Sequence, residues 1–153
     1  MCIHSWIRSI TAAMALLFAV ALPGVAQAGD YVVIGHHANP YQGSVEGTRQ
    51  LLARLFLKQL TAWPDGTAVK IYAAPGSTPE MVAFRDKVLG MNEGELASHW
   101  LALKQKTGGT PPRDVASSSV MGKLVAGSPG AFGIMKKADA LAAKNLRVLL
   151  EID

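Results

Sequence analysis

The chain has 153 residues, half of them hydrophobic, and carries 15 Lys and Arg against 11 Asp and Glu. This length is typical of one domain rather than several. The net charge of +4 is a small basic bias. Because the basic residues are scattered and not interleaved with aromatic residues, the sequence does not predict a nucleic-acid partner.

The first 28 residues have the three parts of a secretory signal peptide. Arg8 precedes an uncharged apolar run from Ile10 to Leu22, and Ala26-Gln27-Ala28 provides a small-residue cleavage site. The run of about 13 residues is shorter than the roughly 20 that a membrane-spanning helix needs. Cys2, the single cysteine, lies ahead of this run and is not placed as a lipoprotein acylation site. We therefore expect cleavage before Gly29, export to the periplasm and one thiol-free domain at residues 29–153.

The first half of this domain is predicted to alternate strands with one long helix. The β-branched run Tyr31–Gly35 predicts a buried strand. Apolar residues spaced by three and four between Ser44 and Gln59 predict an amphipathic helix. Residues 63–66, Trp-Pro-Asp-Gly, predict a turn before a second strand, Val69–Ala73. A strand, a helix and a strand in this order predict a βαβ-like start to an α/β domain.

Helices predominate in the second half. A loop at residues 75–80 leads into a helix that stops at Gly90, and Asn92 with Glu95 has the pattern of a capping box for a helix to about residue 106. Three serines at 117–119 are placed to cap a short helix that ends at Gly127. The remaining elements are a strand at 131–135, a helix at 138–144 and a strand at 146–152. The expected fold is α/β, with a mixed sheet flanked by helices.

The clearest candidate for a ligand site is the loop at Gly76, Ser77 and Thr78. A glycine-bearing loop that opens a helix brings together free backbone N–H groups, hydroxyl groups and the positive end of the helix dipole, which favours an anion. The alternative interpretation is that Ser77 or Thr78 only caps its own helix, a role that these residue types often have.

Other motifs do not predict a catalytic or metal site. The adjacent residues His36 and His37 leave a strand in different directions, and His99 is predicted on a distant helix, so no metal ion or other cofactor is expected. No nucleophile elbow of the form Gly-x-Ser-x-Gly occurs. The glycines between 127 and 133 follow a helix and precede a strand, the reverse of a phosphate-binding loop. We therefore expect a protein that is not an enzyme.

Several uncommon residues occur in one order along the domain. They are Trp63-Pro64-Asp65-Gly66-Thr67 after a helix, Phe84 to Leu89-Gly90, Trp100, Gly109-Thr110-Pro111-Pro112 and Ser128-Pro129-Gly130-Ala131-Phe132-Gly133-Ile134. In these residues the chain resembles the substrate-binding proteins of phosphate ABC transporters. The resemblance is to a short exported variety that keeps about one lobe of the type II periplasmic-binding-protein fold, and it covers most of residues 31–152.

The resemblance implies a protein that binds phosphate or a related oxyanion. It implies ligand contacts at Gly76, Ser77 and Thr78, and association with a membrane permease or another envelope protein. From the predicted strand ends, we also expect His37 and Asn39 to line the same edge of the sheet as these three residues.

Two features depart from the family. Where an arginine of the family would hold the phosphate, this sequence has residues 73–75, Ala-Ala-Pro. The bidentate guanidinium contact is therefore missing, so phosphate binding should be weaker or should recruit Arg85, Lys70 or a histidine. The domain is also too short to supply two lobes that close over a ligand. The alternative function is an envelope protein-protein interaction module that kept the lobe as a scaffold and binds a partner through the loop at residues 36–42.

Overall fold

A computed structural model of the chain describes residues 29–153. The predicted signal peptide and its cleavage site lie outside the described residues. Within the described range, no helix is both long enough and apolar enough to cross a membrane.

A five-stranded mixed sheet forms the centre of the domain. Its strands are β1 (Tyr31–His36), β2 (Lys70–Ala73), β3 (Arg113–Asp114), β4 (Ala131–Lys136) and β5 (Leu146–Ile152). They lie in the order β3-β2-β4-β1-β5. Strand β2 is parallel to β3 and β4, whereas β1 is antiparallel to both β4 and β5. The predicted α/β fold with a mixed sheet is confirmed.

Helices connect the strands and flank the sheet. They are α1 (Val45–Phe56), α2 (Pro79–Phe84), α3 (Glu93–Thr107), α4 (Ser118–Ala126) and α5 (Lys137–Ala142). A π-helical turn, Arg85–Leu89, extends α2 as far as Gly90. The predicted helices are therefore present, although the second one changes its hydrogen-bond pattern part-way.

Side-chain caps begin two of these helices as the sequence predicts. Asn92 Oδ1 accepts a hydrogen bond from the N–H of Glu95 at 2.9 Å, and the Glu95 carboxylate accepts one from the N–H of Asn92 at 2.8 Å. The capping box of α3 is therefore confirmed. At α4, the hydroxyl oxygen of Ser117 accepts from the N–H of Val120.

One topological prediction is wrong. Strands β1 and β2 follow each other in the chain, but β4 lies between them in the sheet, and β1 runs opposite to β4 and hence to β2. A βαβ unit needs two parallel strands, so β1, α1 and β2 do not form one. The physical reason is that a strand buried on both faces has the same apolar composition whichever way it runs.

Two apolar clusters pack on opposite faces of the sheet. Alternate residues of β1 and β4 contribute to each cluster, since side chains alternate along a strand. Val33 and Ile134 lie on the face that α1 and α2 cover with Phe56 and Phe84. The opposite face packs against α4 through Met121. The face of the sheet on which a residue lies therefore decides which helices it packs against.

Candidate functional site

The carboxyl ends of four strands lie along one edge of the sheet. Strands β2, β3 and β4 run in one direction, and β5 runs the same way because both β4 and β5 are antiparallel to β1. We call this the carboxyl edge and the opposite one the amino edge. Open α/β sheets bind ligands outside the carboxyl ends of their strands, so the loop between β2 and α2 is in a suitable position.

Gly76, Ser77 and Thr78 form a turn at the carboxyl edge. The N–H of Thr78 donates to the carbonyl oxygen of Pro75 at 2.9 Å, and α2 begins at Pro79. Gly76 and Ser77 are exposed, and Thr78 is half-buried. Within residues 29–153, no hydrogen bond uses the backbone N–H of Gly76 or Ser77. These two donors are therefore available to an acceptor that approaches from solvent.

Thr78 is less available than the sequence suggests. It occupies the N-cap position of α2, as predicted, but its side chain does not cap the helix. Its hydroxyl instead donates to the carbonyl oxygen of Pro75 at 2.8 Å. An anion can accept a hydrogen bond from this hydroxyl only if the bond to Pro75 breaks. A hydrogen bond of this kind contributes about 0.5–1.5 kcal/mol to stability. Ser77, which is exposed, is the more accessible hydroxyl.

His37 and Asn39 do not join this turn. They follow the carboxyl end of β1, and β1 pairs Tyr31 with Lys136 at the carboxyl edge. The chain therefore leaves β1 at the amino edge, on the other side of the sheet. The prediction that His37 and Asn39 line the same edge as residues 76–78 is wrong, because it assumed that β1 runs parallel to β2.

Two basic residues lie at the carboxyl edge, Lys136 at the end of β4 and Arg113, which β3 pairs with Tyr72. β2 pairs Tyr72 with Gly133, and the same register continued by three residues places Lys136 level with Pro75. Because side chains alternate along β4, Lys136 lies on the same face as Ile134, which is the face that α2 covers. Lys136 is exposed. Sequence reasoning missed it, since the pattern of one chain does not show which strands become neighbours.

Lys70 and the histidines at 36 and 37 are placed less favourably. Lys70 begins β2 at the amino edge, where its Nζ lies 3.5 Å from the hydroxyl of Ser128. It cannot replace the missing arginine at the turn, and neither can the histidines at 36 and 37, which are also at the amino edge. Arg85 belongs to the π-helical turn, and its Nε lies 3.7 Å from a carboxylate oxygen of Asp86.

Carboxylates at this edge oppose an anion, among them Asp114, which β3 pairs with Ala73, and Glu80. Glu80 lies in the first turn of α2 and is half-buried. A carboxylate in this position is itself stabilised by the positive end of the helix dipole, by about 0.3–1 kcal/mol. The same charge repels an incoming anion. The turn thus combines two free N–H donors and one hydroxyl, and both basic and acidic side chains lie along the same edge.

The histidines make structural contacts elsewhere. His36 Nδ1 accepts a hydrogen bond from the N–H of Ala38 at 3.0 Å, and the His36 and His37 rings stack with centroids 4.3 Å apart. His99 Nε2 lies 3.0 Å from the carbonyl oxygen of Leu57. In the part of the chain that the structure describes, no three His, Cys, Asp or Glu residues form a group that could hold a metal ion.

Solved structures share this architecture, although no protein-family model and no curated protein matches the chain in sequence. An ABC-type phosphate transport receptor from Vibrio cholerae aligns with a TM-score of 0.58 at 18% identity, over 78% of this chain and 45% of the receptor. PstS from Borrelia burgdorferi aligns with a TM-score of 0.59 at 11% identity, over 80% of this chain and 47% of PstS. The chain has the fold of one lobe of such proteins.

A third structure carries the ligand. A Clostridium perfringens protein, assigned to the phosphate ABC transporter substrate-binding proteins and solved with bound phosphate, aligns with a TM-score of 0.53 at 14% identity, over 78% of this chain and 53% of its own. The chain spans about half the length of these structures. The fold implied by the sequence resemblance is confirmed.

Proposed function

We propose that this phosphate-binding-protein-like lobe is an exported, non-enzymatic module that binds phosphate or a related oxyanion at the Gly76–Ser77 turn. In this proposal residues 1–28 direct export to the periplasm and are removed, and the module serves phosphate uptake with an ABC-type permease. The observation that carries the proposal is the pair of unused backbone N–H groups at an exposed turn that opens α2.

The described residues supply each part of the contact. The N–H groups of Gly76 and Ser77 and the Ser77 hydroxyl donate to the anion oxygens. Lys136 supplies the positive charge, and hydrogen bonds between charged partners are about twice as strong as neutral ones. The Thr78 hydroxyl contributes only after it leaves the carbonyl oxygen of Pro75. Since one lobe leaves the ligand open to solvent on its other side, we expect weaker binding than in a closed two-lobe site.

Thermal unfolding in the presence of anions tests this proposal. The protein is unfolded in phosphate, sulfate and chloride at matched ionic strength, so that general salt effects cancel. Phosphate at about 100 times its Kd should stabilise the fold by about 2.7 kcal/mol, which is a rise of about 10 °C in Tm for a domain of this size. Chloride should give no comparable rise.

Variants that are expected to change the phosphate affinity in opposite directions distinguish loss of the site from general destabilisation of the fold. Ser77→Ala and Lys136→Gln should weaken phosphate binding, measured by calorimetric titration. Glu80→Gln should strengthen it, because it removes a negative charge that repels the anion. Lys106→Gln, at an exposed lysine near the end of α3, is the control and should leave the Kd unchanged. The proposal fails if no oxyanion binds, or if the three variants at the site bind phosphate as the parent protein does.

A further inference from the structure

A separate cavity lies at the amino edge, away from the anion turn. It has a volume of about 320 Å³ and is lined by Asn39, Pro40, Tyr41, Trp63, Pro64 and Asp65. We call it the Asn39 cleft. Two loops form it, the one after β1 and the turn that precedes β2. Its volume is at the lower end of the range of about 300–1,000 Å³ for ligand sites, which suits a small part of a larger ligand.

Asn39, which lines this cleft, has an unused hydrogen-bond donor. The residue is only 4% exposed. Its Oδ1 accepts from the N–H of Tyr41 at 2.9 Å, which decides the orientation of the amide, and Arg147 Nη1 donates to its backbone carbonyl oxygen at 2.7 Å. The Nδ2 group is buried and has no hydrogen-bond partner within the described residues. Buried polar groups almost always have a partner, so an acceptor from outside the domain would resolve this exception.

The walls of the cleft are apolar and well supported. The rings of Tyr41 and Trp63 lie 6.0 Å apart. Trp63 is held in place by its indole N–H, which donates to the carbonyl oxygen of Gly130 at 3.0 Å. Pro40 and Pro64 are exposed and form the rim. An aliphatic chain that enters the cleft therefore meets rigid apolar surface on several sides.

Asp65 is the one charged residue that lines the cleft. Its Oδ1 accepts from the N–H of Thr67 at 2.9 Å, and its Oδ2 accepts from the Thr67 hydroxyl at 2.8 Å. These two hydrogen bonds hold the pKa of Asp65 below its ordinary value of 3.8. The carboxylate is therefore ionised at neutral pH, and the cleft favours a cation.

We propose that the Asn39 cleft binds an extended segment of a partner protein that carries an arginine or a lysine. A backbone carbonyl oxygen of the segment accepts from Asn39 Nδ2. The aliphatic stem of the basic side chain packs on Tyr41 and the two prolines, and its charged end reaches Asp65. Arginine and lysine combine an apolar stem with a terminal cation in this way, and their cations also bind the face of a tyrosine ring. Because Nδ2 is covered, the Asn39 side chain has to become accessible as the segment enters.

A nuclear magnetic resonance titration of the ¹⁵N-labelled protein tests this inference. The probe is the peptide acetyl-Ala-Arg-Ala-amide, with acetyl-Ala-citrulline-Ala-amide as a neutral probe of nearly the same shape. The arginine peptide should shift the side-chain amide resonances of Asn39 and the indole resonance of Trp63, with one saturable Kd. The Asn39 amide protons should move downfield and exchange more slowly with solvent, since they acquire an acceptor.

A matched pair of variants tests the charge. Asp65→Asn keeps an acceptor oxygen for the N–H of Thr67, replaces the other oxygen by an amide group that donates to the Thr67 hydroxyl, and removes the negative charge. It should weaken binding of the arginine peptide about 2- to 5-fold, to the affinity of the citrulline peptide. Asp114→Asn removes an exposed acid at the carboxyl edge and should leave the Kd unchanged. The inference is overturned if neither peptide moves the Asn39 and Trp63 resonances, or if the citrulline peptide binds the parent protein as tightly as the arginine peptide. Phosphate binding at the turn is measured separately and survives either result.

Discussion

The same substitution at two glycines should change the stability of the domain in opposite directions. At Gly133 in β4, an alanine Cβ would lie 2.5 Å from Met121 Sδ and 3.2 Å from Val125 Cγ2. Both neighbours are buried in α4, so neither side chain can move into solvent. Overpacking of this kind costs about 1–3 kcal/mol. At Gly76 a Cβ meets no atom within 4 Å and the backbone is not left-handed, so alanine should stabilise by about 0.4–1 kcal/mol.

Thermal unfolding followed by circular dichroism measures both effects. At about 4 °C per kcal/mol for this size, Gly133→Ala should lower Tm by about 4–12 °C, and Gly76→Ala should raise it by about 2–4 °C. The Gly76 variant also places a methyl group where the anion would sit, so it should bind phosphate more weakly while it unfolds at a higher temperature. A neutral Gly133→Ala, or a Gly76→Ala that lowers Tm, would refute the packing described for α4 or the open turn.

Three further predictions follow from individual hydrogen bonds. The hydrogen bonds from Thr67 lower the pKa of Asp65. The carboxylate therefore stabilises the fold above its ordinary pKa of 3.8, and this stabilisation is lost as the pH falls through the pKa in the folded protein. A ¹³C titration of Asp65 should give a midpoint below 3.8, and in Asp65→Asn the free energy of unfolding should fall less steeply at acid pH. Asn92→Ala should cost about 1 kcal/mol, and since α3 has no fully buried residue, hydrogen exchange should rise in its first turn first. Trp63→Phe deprives the carbonyl oxygen of Gly130 of one buried donor and should cost about 1–3 kcal/mol in chemical denaturation.

Local patterns in the sequence predict most of the individual elements. The strand β5 has the predicted bounds, Leu146–Ile152, and β4 is one residue longer than predicted. The capping box at Asn92 and the Ser117 cap are present because each depends on residues three positions apart in the chain. Interactions of this range are set by the local sequence, so they can be predicted without knowledge of the sheet.

Features that depend on strand order and direction could not be predicted in the same way. The antiparallel direction of β1 moves His37 and Asn39 to the amino edge, and the direction of β4 puts Lys136 at the same edge as the turn. Both follow from pairings between residues that are far apart in the chain. The bond from the Thr78 hydroxyl to Pro75 is local, but it competes with helix capping by a rotation of one side chain, and the residue types do not decide between the two.

The most direct test of the central claim is a phosphate titration of the ¹⁵N-labelled protein, followed by nuclear magnetic resonance. We expect the backbone amide resonances of Gly76 and Ser77 to shift and to saturate together. The Ser77→Ala, Lys136→Gln double variant should show a weaker response, and the resonances of the Asn39 side-chain amide at the amino edge should not move. Absence of a saturable shift at Gly76 and Ser77, or a saturable response confined to the amino edge, would contradict the claim that this lobe binds an oxyanion at the start of α2.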